Sequence, residues 1–109
     1  MTVKTGLPEH FVRIRSRYGK FFAALEELGK SAKSEGPLDD RTAHLVQLAA
    51  SAAIRSEGAV HSHARRAIQA GAKPEEVYHA IILLTSTIGF PSTSAALSWV
   101  YDVIGEQVG

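Results

Sequence analysis

The sequence contains no cysteine among its 109 residues. Disulfide bonds, thiol catalysis and thiolate metal sites are therefore excluded for these residues. Charge of one sign is not in excess either, since 12 basic and 11 acidic side chains give a formal net charge of +1. A chain without a basic excess offers little to hold a phosphate backbone, so we do not expect nucleic acid as a partner.

Long apolar runs are also missing. No stretch is long and apolar enough for a membrane span, and the first eight residues lack the apolar core of a signal peptide. We therefore expect a soluble, cytoplasmic protein without a membrane partner. The length indicates a single domain over residues 1–109. So small a domain buries only about 60–65% of the surface that its unfolded chain exposes, and oligomerisation would add to that burial.

The sequence does contain helical periodicity. From Glu9 to Leu28, apolar side chains recur at spacings of three and four. This pattern fits one amphipathic helix or two helices joined near Gly19. The serines and glycines between Gly29 and Pro37 predict the first loop.

Two helices are predicted in the middle of the chain. Asp39 or Asp40 offers an N-cap for a helix that ends near Arg55. Ser56 offers the next N-cap, and the helix that it starts runs to just before Gly71. Glycine suits the left-handed position that follows a helix end, so both boundaries have a physical basis.

Two more helices are predicted towards the C-terminus. Pro74 suits a first helical position, and this helix continues to about Ile88. Its middle, residues 77–84, is apolar on nearly all sides, so we expect it to be central or shared with another subunit. A last helix follows the serines of 92–94 and runs to about Ile104.

The segment from Leu38 to Gly71 resembles the core motif of the carboxymuconolactone decarboxylase and alkylhydroperoxidase D superfamily. That motif has a leucine, an acidic turn, a helix, Cys-x-x-Cys-x-x-x-His, and a glycine eight residues after the histidine. The residues at matching positions are Leu38, Leu45, Leu48, Ala49, His63 and Gly71. Further matches are Lys73-Pro74-Glu75-Glu76-Val77 and Gly89-Phe90-Pro91, so the similar core covers residues 21–103.

The resemblance implies an all-α fold of about six helices that assembles as a homotrimer or homohexamer. It implies pockets at or near the subunit contacts. We expect the helices that carry His44 and His63 to pack antiparallel, with the helix of residues 77–88 in a central position.

Departures from the family pattern exclude one of the family's reactions. His63 places the two cysteine positions at Ser56 and Ala59, and the upstream acidic position at His44. The family's dithiol peroxidase route needs a thiolate nucleophile and a resolving thiol, so this route is excluded. The family's founding decarboxylases also lack the cysteine pair and keep a histidine at the position of His63.

An acid–base site remains as the candidate. Ser56, His63 and Arg66 share one helix face, and the resemblance implies that His44 points towards His63. Two imidazoles could divide the acid and base roles, and Arg66 could hold a substrate carboxylate bidentately. The candidate catalytic residues are His63 and His44. The candidate substrate-binding residues are Arg66, Ser56 and Glu57.

Structural interpretations of the same residues stay open. Ser56 and Glu57 also suit the N-cap and first turn of a helix, and His63 also suits a hydrogen-bonded core position. We expect no metal and no cofactor. His61 and His63 look like a ligand pair, but positions i and i+2 of a helix point about 200° apart. A metal set of His44, His63 and Glu57 is geometrically open.

Two functions of different classes fit the sequence. The first is a cofactor-free lyase or isomerase that acts on a carboxylated small molecule, with His63 as acid or base. The second is a non-catalytic oligomeric scaffold or ligand-binding member that kept the fold after losing the cysteines. The histidines are retained in both cases, so the sequence leaves open whether the protein is an enzyme, and it does not identify a substrate.

Overall fold

The computed structural model describes residues 8–105, and all regular secondary structure in that range is helical. The all-α fold is therefore confirmed. The helices are α1 (Glu9–Arg17), α2 (Gly19–Ser34), α3 (Asp40–Ala53), α4 (Glu57–Gln69), α5 (Pro74–Ile82), α6 (Thr85–Ile88) and α7 (Phe90–Ile104). Within residues 8–105, none of them combines the length and apolarity that crossing a bilayer requires. Residues 1–7, where the sequence predicts no signal peptide, lie outside the described range.

The chain divides into two compact units, whose described parts are residues 8–39 and 40–105. In the first unit, α1 and α2 meet through Phe11 and Phe22, whose ring centroids are 4.8 Å apart in an edge-to-face arrangement. Edge-to-face packing is a favoured geometry for aromatic pairs. A single domain over the whole chain stays a prediction.

The helix α2 is longer than the sequence pattern indicates. A separate helix after residue 18 agrees with the two-helix alternative. Because α2 continues to Ser34, the predicted start of the loop at Gly29 is wrong, and the loop occupies residues 35–39. One glycine costs a helix only about 1 kcal/mol relative to alanine. The alanines, lysines and glutamates around Gly29 are strong helix formers, and they outweigh that cost.

The second unit holds a hydrophobic core. The helix α4 packs against α3 and α7, while α5 also packs against α3 and α7. The largest fully buried apolar side chains of this core are Leu48, Val60, Val77, Ile81, Val100 and Ile104. Burial of each such side chain contributes about 1.5–3 kcal/mol to the free energy of unfolding.

Two predicted helix boundaries in this unit are confirmed. Gly71 follows α4 with φ of +104°, in the left-handed region. Pro74 is the first residue of α5. The side chain of Glu76 accepts a hydrogen bond from the Lys73 N–H at 2.8 Å, which satisfies a donor at the start of the helix.

The predicted helix from Pro74 to Ile88 begins and ends at helix boundaries of the structure, but it is interrupted, so its predicted continuity is wrong. α5 ends at Ile82, a turn occupies residues 83–84, and α6 follows. The Thr85 hydroxyl donates a hydrogen bond to the Ile82 carbonyl at 2.7 Å, which gives that carbonyl a partner at the helix end. The helix α7 begins at Phe90, before the predicted serines, with Pro91 in its first turn.

One side of α5 is not enclosed by its own unit. Val77 and Ile81 are fully buried, but Ile82 at the end of α5 and Leu83 directly after it are 52% and 62% exposed. The central position expected for this helix therefore applies to only one of its faces.

Candidate functional site

The helices α3 and α4 form a hairpin joined by residues 54–56. Two hydrogen bonds close α3, from the Arg55 N–H to the Ala52 carbonyl and from the Ser56 N–H to the Ser51 carbonyl, both at 3.0 Å. This is the Schellman pattern of a helix end. Arg55 takes the left-handed position with φ of 57°, which glycine more often fills. So short a connection returns α4 alongside α3.

This hairpin brings His44 of α3 opposite His63 of α4. Their Nδ1 atoms are 3.3 Å apart, and the ring centroids are 5.5 Å apart with 36° between the ring planes. His44 is buried, with 4% exposure, whereas His63 is half-buried. The pair therefore joins a ring inside the protein to a ring that reaches towards the surface.

Two facing Nδ1 atoms require unlike proton states. A neutral imidazole carries its hydrogen on one nitrogen and accepts at the other. At 3.3 Å, an attractive contact has one Nδ1–H donor and one bare Nδ1 acceptor. The pair can therefore pass a proton or share a positive charge, as acid–base chemistry requires.

Ser56 and Glu57 take part in the start of α4. Ser56 is the N-cap, and its hydroxyl accepts a hydrogen bond from the Ala59 N–H at 3.4 Å. Glu57 is the first residue of α4, where the positive end of the helix dipole stabilises a negative charge. Its side chain is 58% exposed. Both positions thus have a structural reason for their residue type. Their roles in substrate binding stay predictions.

Arg66 lies on α4 one turn after His63 and is exposed. Its neighbour Arg65 is half-buried, and desolvation by burial, followed by the charge of Arg66, lowers the pKa of Arg65. Two adjacent guanidinium groups make this turn cationic, which favours an anionic ligand. The role of Arg66 as a carboxylate anchor stays a prediction.

A second polar cluster lies on α4 and α7. His61 Nε2 is 3.2 Å from Asp102 Oδ2 and 3.9 Å from Glu57 Oε2. Within residues 8–105 this is the set of side chains close enough to share an ion, so the metal set of His44, His63 and Glu57 is not formed. The four-residue spacing of Glu57 and His61 in the sequence predicts that these two side chains lie on the same face of α4. The approach of Asp102 could not be predicted in this way, because it depends on the packing of α7 on α4.

Two surface grooves lie in the second unit. The larger, of about 690 Å³, runs between α5 and α7, and its walls include Tyr78, Ile82, Leu97, Tyr101 and Asp102. The smaller, of about 400 Å³, runs between α3 and α5, and its walls include Leu45, Val46, His79 and Leu83. Neither set of lining residues includes the histidine pair.

The fold and the hairpin site define a small all-α protein with a histidine pair and no thiol. The chain belongs to the carboxymuconolactone decarboxylase family, whose model matches residues 19–102. It is similar to the uncharacterized protein MJ1511 of Methanocaldococcus jannaschii, with 27% identity over 94 residues that cover 86% of this chain and 88% of that protein. No solved structure matches the chain.

Proposed function

We propose that the chain is a cofactor-free enzyme, a lyase or isomerase that acts on a carboxylated small molecule through His63 and His44. The observation that carries the proposal is the 3.3 Å separation of the two Nδ1 atoms. Membership of the carboxymuconolactone decarboxylase family supports the class of reaction and leaves the substrate open. The family's dithiol peroxidase route is excluded, because the sequence contains no cysteine.

The shared contact gives the two rings complementary roles. In the neutral pair, one ring carries its hydrogen on Nδ1 and the other on Nε2. The Nε2 atoms lie on the far side of the rings from the contact. The pair therefore directs one basic nitrogen and one N–H donor towards other groups, and a protonated pair carries one imidazolium.

The same pair serves either reaction. In decarboxylation, the bond to the departing carboxylate breaks, carbon dioxide leaves, and the electron pair stays on the substrate carbon. The imidazolium donates its proton to that carbon, and the neutral pair then takes a proton from solvent. In isomerisation, the basic nitrogen removes a proton from one carbon and the resulting imidazolium returns it to another.

Arg66 supplies the substrate anchor in this proposal. It follows His63 by one helical turn, and the adjacent Arg65 adds to the positive charge. A guanidinium holds a carboxylate through two parallel hydrogen bonds, which fixes the orientation of the substrate. Replacement of Arg66 should therefore raise KM more than it lowers kcat.

The test follows carbon-bound hydrogen in deuterated water by proton NMR. The substrates are a panel of small unsaturated lactones and keto acids that carry carboxylates, with carboxymuconolactone among them. Decarboxylation places solvent deuterium on carbon, and isomerisation moves a carbon-bound hydrogen to a new position, so both reactions change the spectrum. His63→Ala should lower either rate by about 10²–10⁴-fold. His10→Ala, which removes an exposed histidine of α1, is the matched control. Equal turnover by wild type and His63→Ala would show that the assignment is wrong.

The alternative is a ligand-binding member without catalysis. It is favoured by the structural roles of two candidate substrate-binding residues, since Ser56 caps α4 and Glu57 lies in its first turn. Saturable binding of a panel carboxylate without deuterium incorporation, decarboxylation or isomerisation would support this alternative and contradict the enzyme proposal.

We also propose that the chain self-associates as a homotrimer or homohexamer. Val46 and Leu83 line the smaller groove and are 54% and 62% exposed, so these two apolar side chains meet water in the single chain. Exposed apolar patches on soluble proteins mark interaction sites. A neighbouring copy could add a wall to a substrate pocket.

Sedimentation velocity at micromolar concentration tests this assembly. The wild type should sediment as three or six chains, and Leu83→Glu should lower the mass, because it places a charge in the apolar contact. Ile54→Glu is the control, since Ile54 is 76% exposed but lies in the α3–α4 connection. A monomeric wild type would refute the assembly.

A further inference from the structure

Three side chains with metal-binding atoms converge on one face of the second unit. Glu57 and His61 are four residues apart on α4, and Asp102 lies on α7. One ligand atom from each of the three lies within 4.8 Å of the other two. The cluster is separate from the histidine pair of the α3–α4 hairpin.

The helix geometry explains why these three residues meet. Residues four apart on a helix lie one above the other on the same face, so Glu57 and His61 point in a similar direction. His61 Nε2 is 3.2 Å from the carboxylate of Asp102, which α7 brings alongside α4. His63, two positions after His61, points to a different side of α4.

We propose that Glu57, His61 and Asp102 bind a divalent transition-metal ion such as Zn²⁺. Zinc bonds to histidine nitrogen and carboxylate oxygen are about 2.0–2.2 Å long. In a tetrahedral site, two such ligand atoms are therefore about 3.4 Å apart. The separations from His61 Nε2 to Asp102 and Glu57 are 3.2 and 3.9 Å. Small rotations of the exposed Glu57 side chain bring the third ligand within range.

The donor set favours this class of ion. Imidazole nitrogen is a preferred ligand of zinc and neighbouring transition metals, and the two carboxylates balance the charge of a divalent cation. Magnesium and calcium prefer sites made of oxygen alone. Three protein ligands leave at least one coordination position for water or an exogenous ligand.

The position of the site gives that further ligand room. Asp102 is also part of the wall of the larger groove, which has a volume of about 690 Å³. The same groove has apolar walls formed by Ile82 and Leu97. A metal ion at Asp102 would therefore lie at the edge of a surface that accommodates an apolar group.

Isothermal titration of the full chain with zinc chloride tests the site. The wild type should bind one zinc ion per chain at this cluster. His61→Ala, Glu57→Gln and Asp102→Asn should each raise the Kd by at least about 10-fold, since even the loss of an outer-shell partner has an effect of that order. All three residues lie at or near the surface, and circular dichroism checks that each variant is folded.

Two control variants locate the ion. His79→Ala removes a histidine that also has a glutamate four residues before it, but which belongs to no three-ligand group within residues 8–105. His63→Ala removes half of the histidine pair. Both should keep the wild-type zinc affinity.

Three results would overturn the proposal. The first is a wild type without saturable zinc binding at micromolar concentration, which would make the cluster an ion-pair network only. The second is unchanged affinity in the three ligand variants. The third is loss of zinc binding in His63→Ala with retention in His61→Ala, which would move the ion to the histidine pair.

Discussion

His44 and His63 face each other through their Nδ1 atoms at 3.3 Å, although 19 positions separate them in the sequence. His44 is almost completely buried, so water does not compete freely for its ring. Two N–H groups directed at one another in such a place would each lose an acceptor. The geometry therefore couples the proton on one ring to the proton on the other.

The first prediction concerns the tautomers of this pair. Long-range proton–nitrogen NMR spectra at alkaline pH, where the imidazoles are neutral, should show one ring protonated on Nδ1 and the other on Nε2. The exposed ring of His79 should show mainly the Nε2–H form and serves as the control. If both rings of the pair are Nε2–H tautomers, no hydrogen joins the two Nδ1 atoms and the prediction fails.

The second prediction is an energetic coupling between the two rings. In a double-mutant cycle of His44→Phe and His63→Phe, urea unfolding should give a favourable interaction of about 1 kcal/mol, the typical net value of a hydrogen bond. Phenylalanine keeps most of the ring volume, so cavity effects are small. Additive losses of stability would show that the contact contributes nothing.

The third prediction separates two roles of Arg55. Its Nη1 donates a hydrogen bond to the Ser92 hydroxyl at 2.7 Å, and its backbone has φ of 57°. Arg55→Gly and Arg55→Ala both remove the hydrogen bond, but only glycine relieves the left-handed backbone. The glycine variant should therefore be more stable than the alanine variant by about 1 kcal/mol in thermal or urea unfolding.

Ser92→Ala is the control for this comparison. It should show the loss of the hydrogen bond alone, with the backbone of Arg55 unchanged. The donor is a charged guanidinium but the contact is exposed to water, so we expect a loss of about 1 kcal/mol. An alanine variant of Arg55 as stable as the glycine variant would contradict the assignment of backbone strain.

The fourth prediction concerns stability at alkaline pH. The Tyr78 hydroxyl donates a hydrogen bond to the Gly105 carbonyl at 3.0 Å. Desolvation by burial, and then the nearby Tyr101, raise the pKa of Tyr78 above its ordinary value of 10.0. The folded protein thus holds this proton more tightly than the unfolded chain does. The resulting stabilisation is complete below pH 10.0 and is lost as the pH rises through the folded-state pKa.

Tyr78→Phe should weaken this alkaline dependence. Urea unfolding measured in steps of pH should show a loss of about 1 kcal/mol at neutral pH from the missing hydrogen bond. Above pH 10.0, the stability of the variant should fall less steeply than that of the wild type. Tyr18→Phe, at an exposed tyrosine of the first unit, is the control. If the stability of Tyr78→Phe falls with pH as steeply as that of the wild type, the prediction is contradicted.

Features determined by neighbouring residues could be predicted from the sequence. Gly71 after α4, Pro74 at the start of α5 and Ser56 as an N-cap each follow from a local backbone requirement. The family motif also gave the matching positions of His44 and His63, because its spacing fixes residues across a short hairpin. Their chemical roles stay predictions.

Other features depend on context that the sequence pattern does not contain. The turn at residues 83–84 interrupts a continuous apolar run, where no glycine or proline signals a break. Arg55 occupies a left-handed backbone position, where the conformational preferences of the residues would lead us to expect glycine. The cluster of His61 and Asp102 depends on the packing of α7 against α4, which joins residues 41 positions apart.

Ser56 stands where the resemblance to the family motif places the first cysteine, and the structure makes it the N-cap of α4. The partial positive charge of a helix N-terminus lowers the pKa of a thiol there and makes it more reactive. A serine hydroxyl is instead a strong capping group that stabilises the helix start by about 0.5–2 kcal/mol relative to alanine. One backbone position can therefore serve redox reactivity or helix stability, and this chain carries the residue that favours a stable helix.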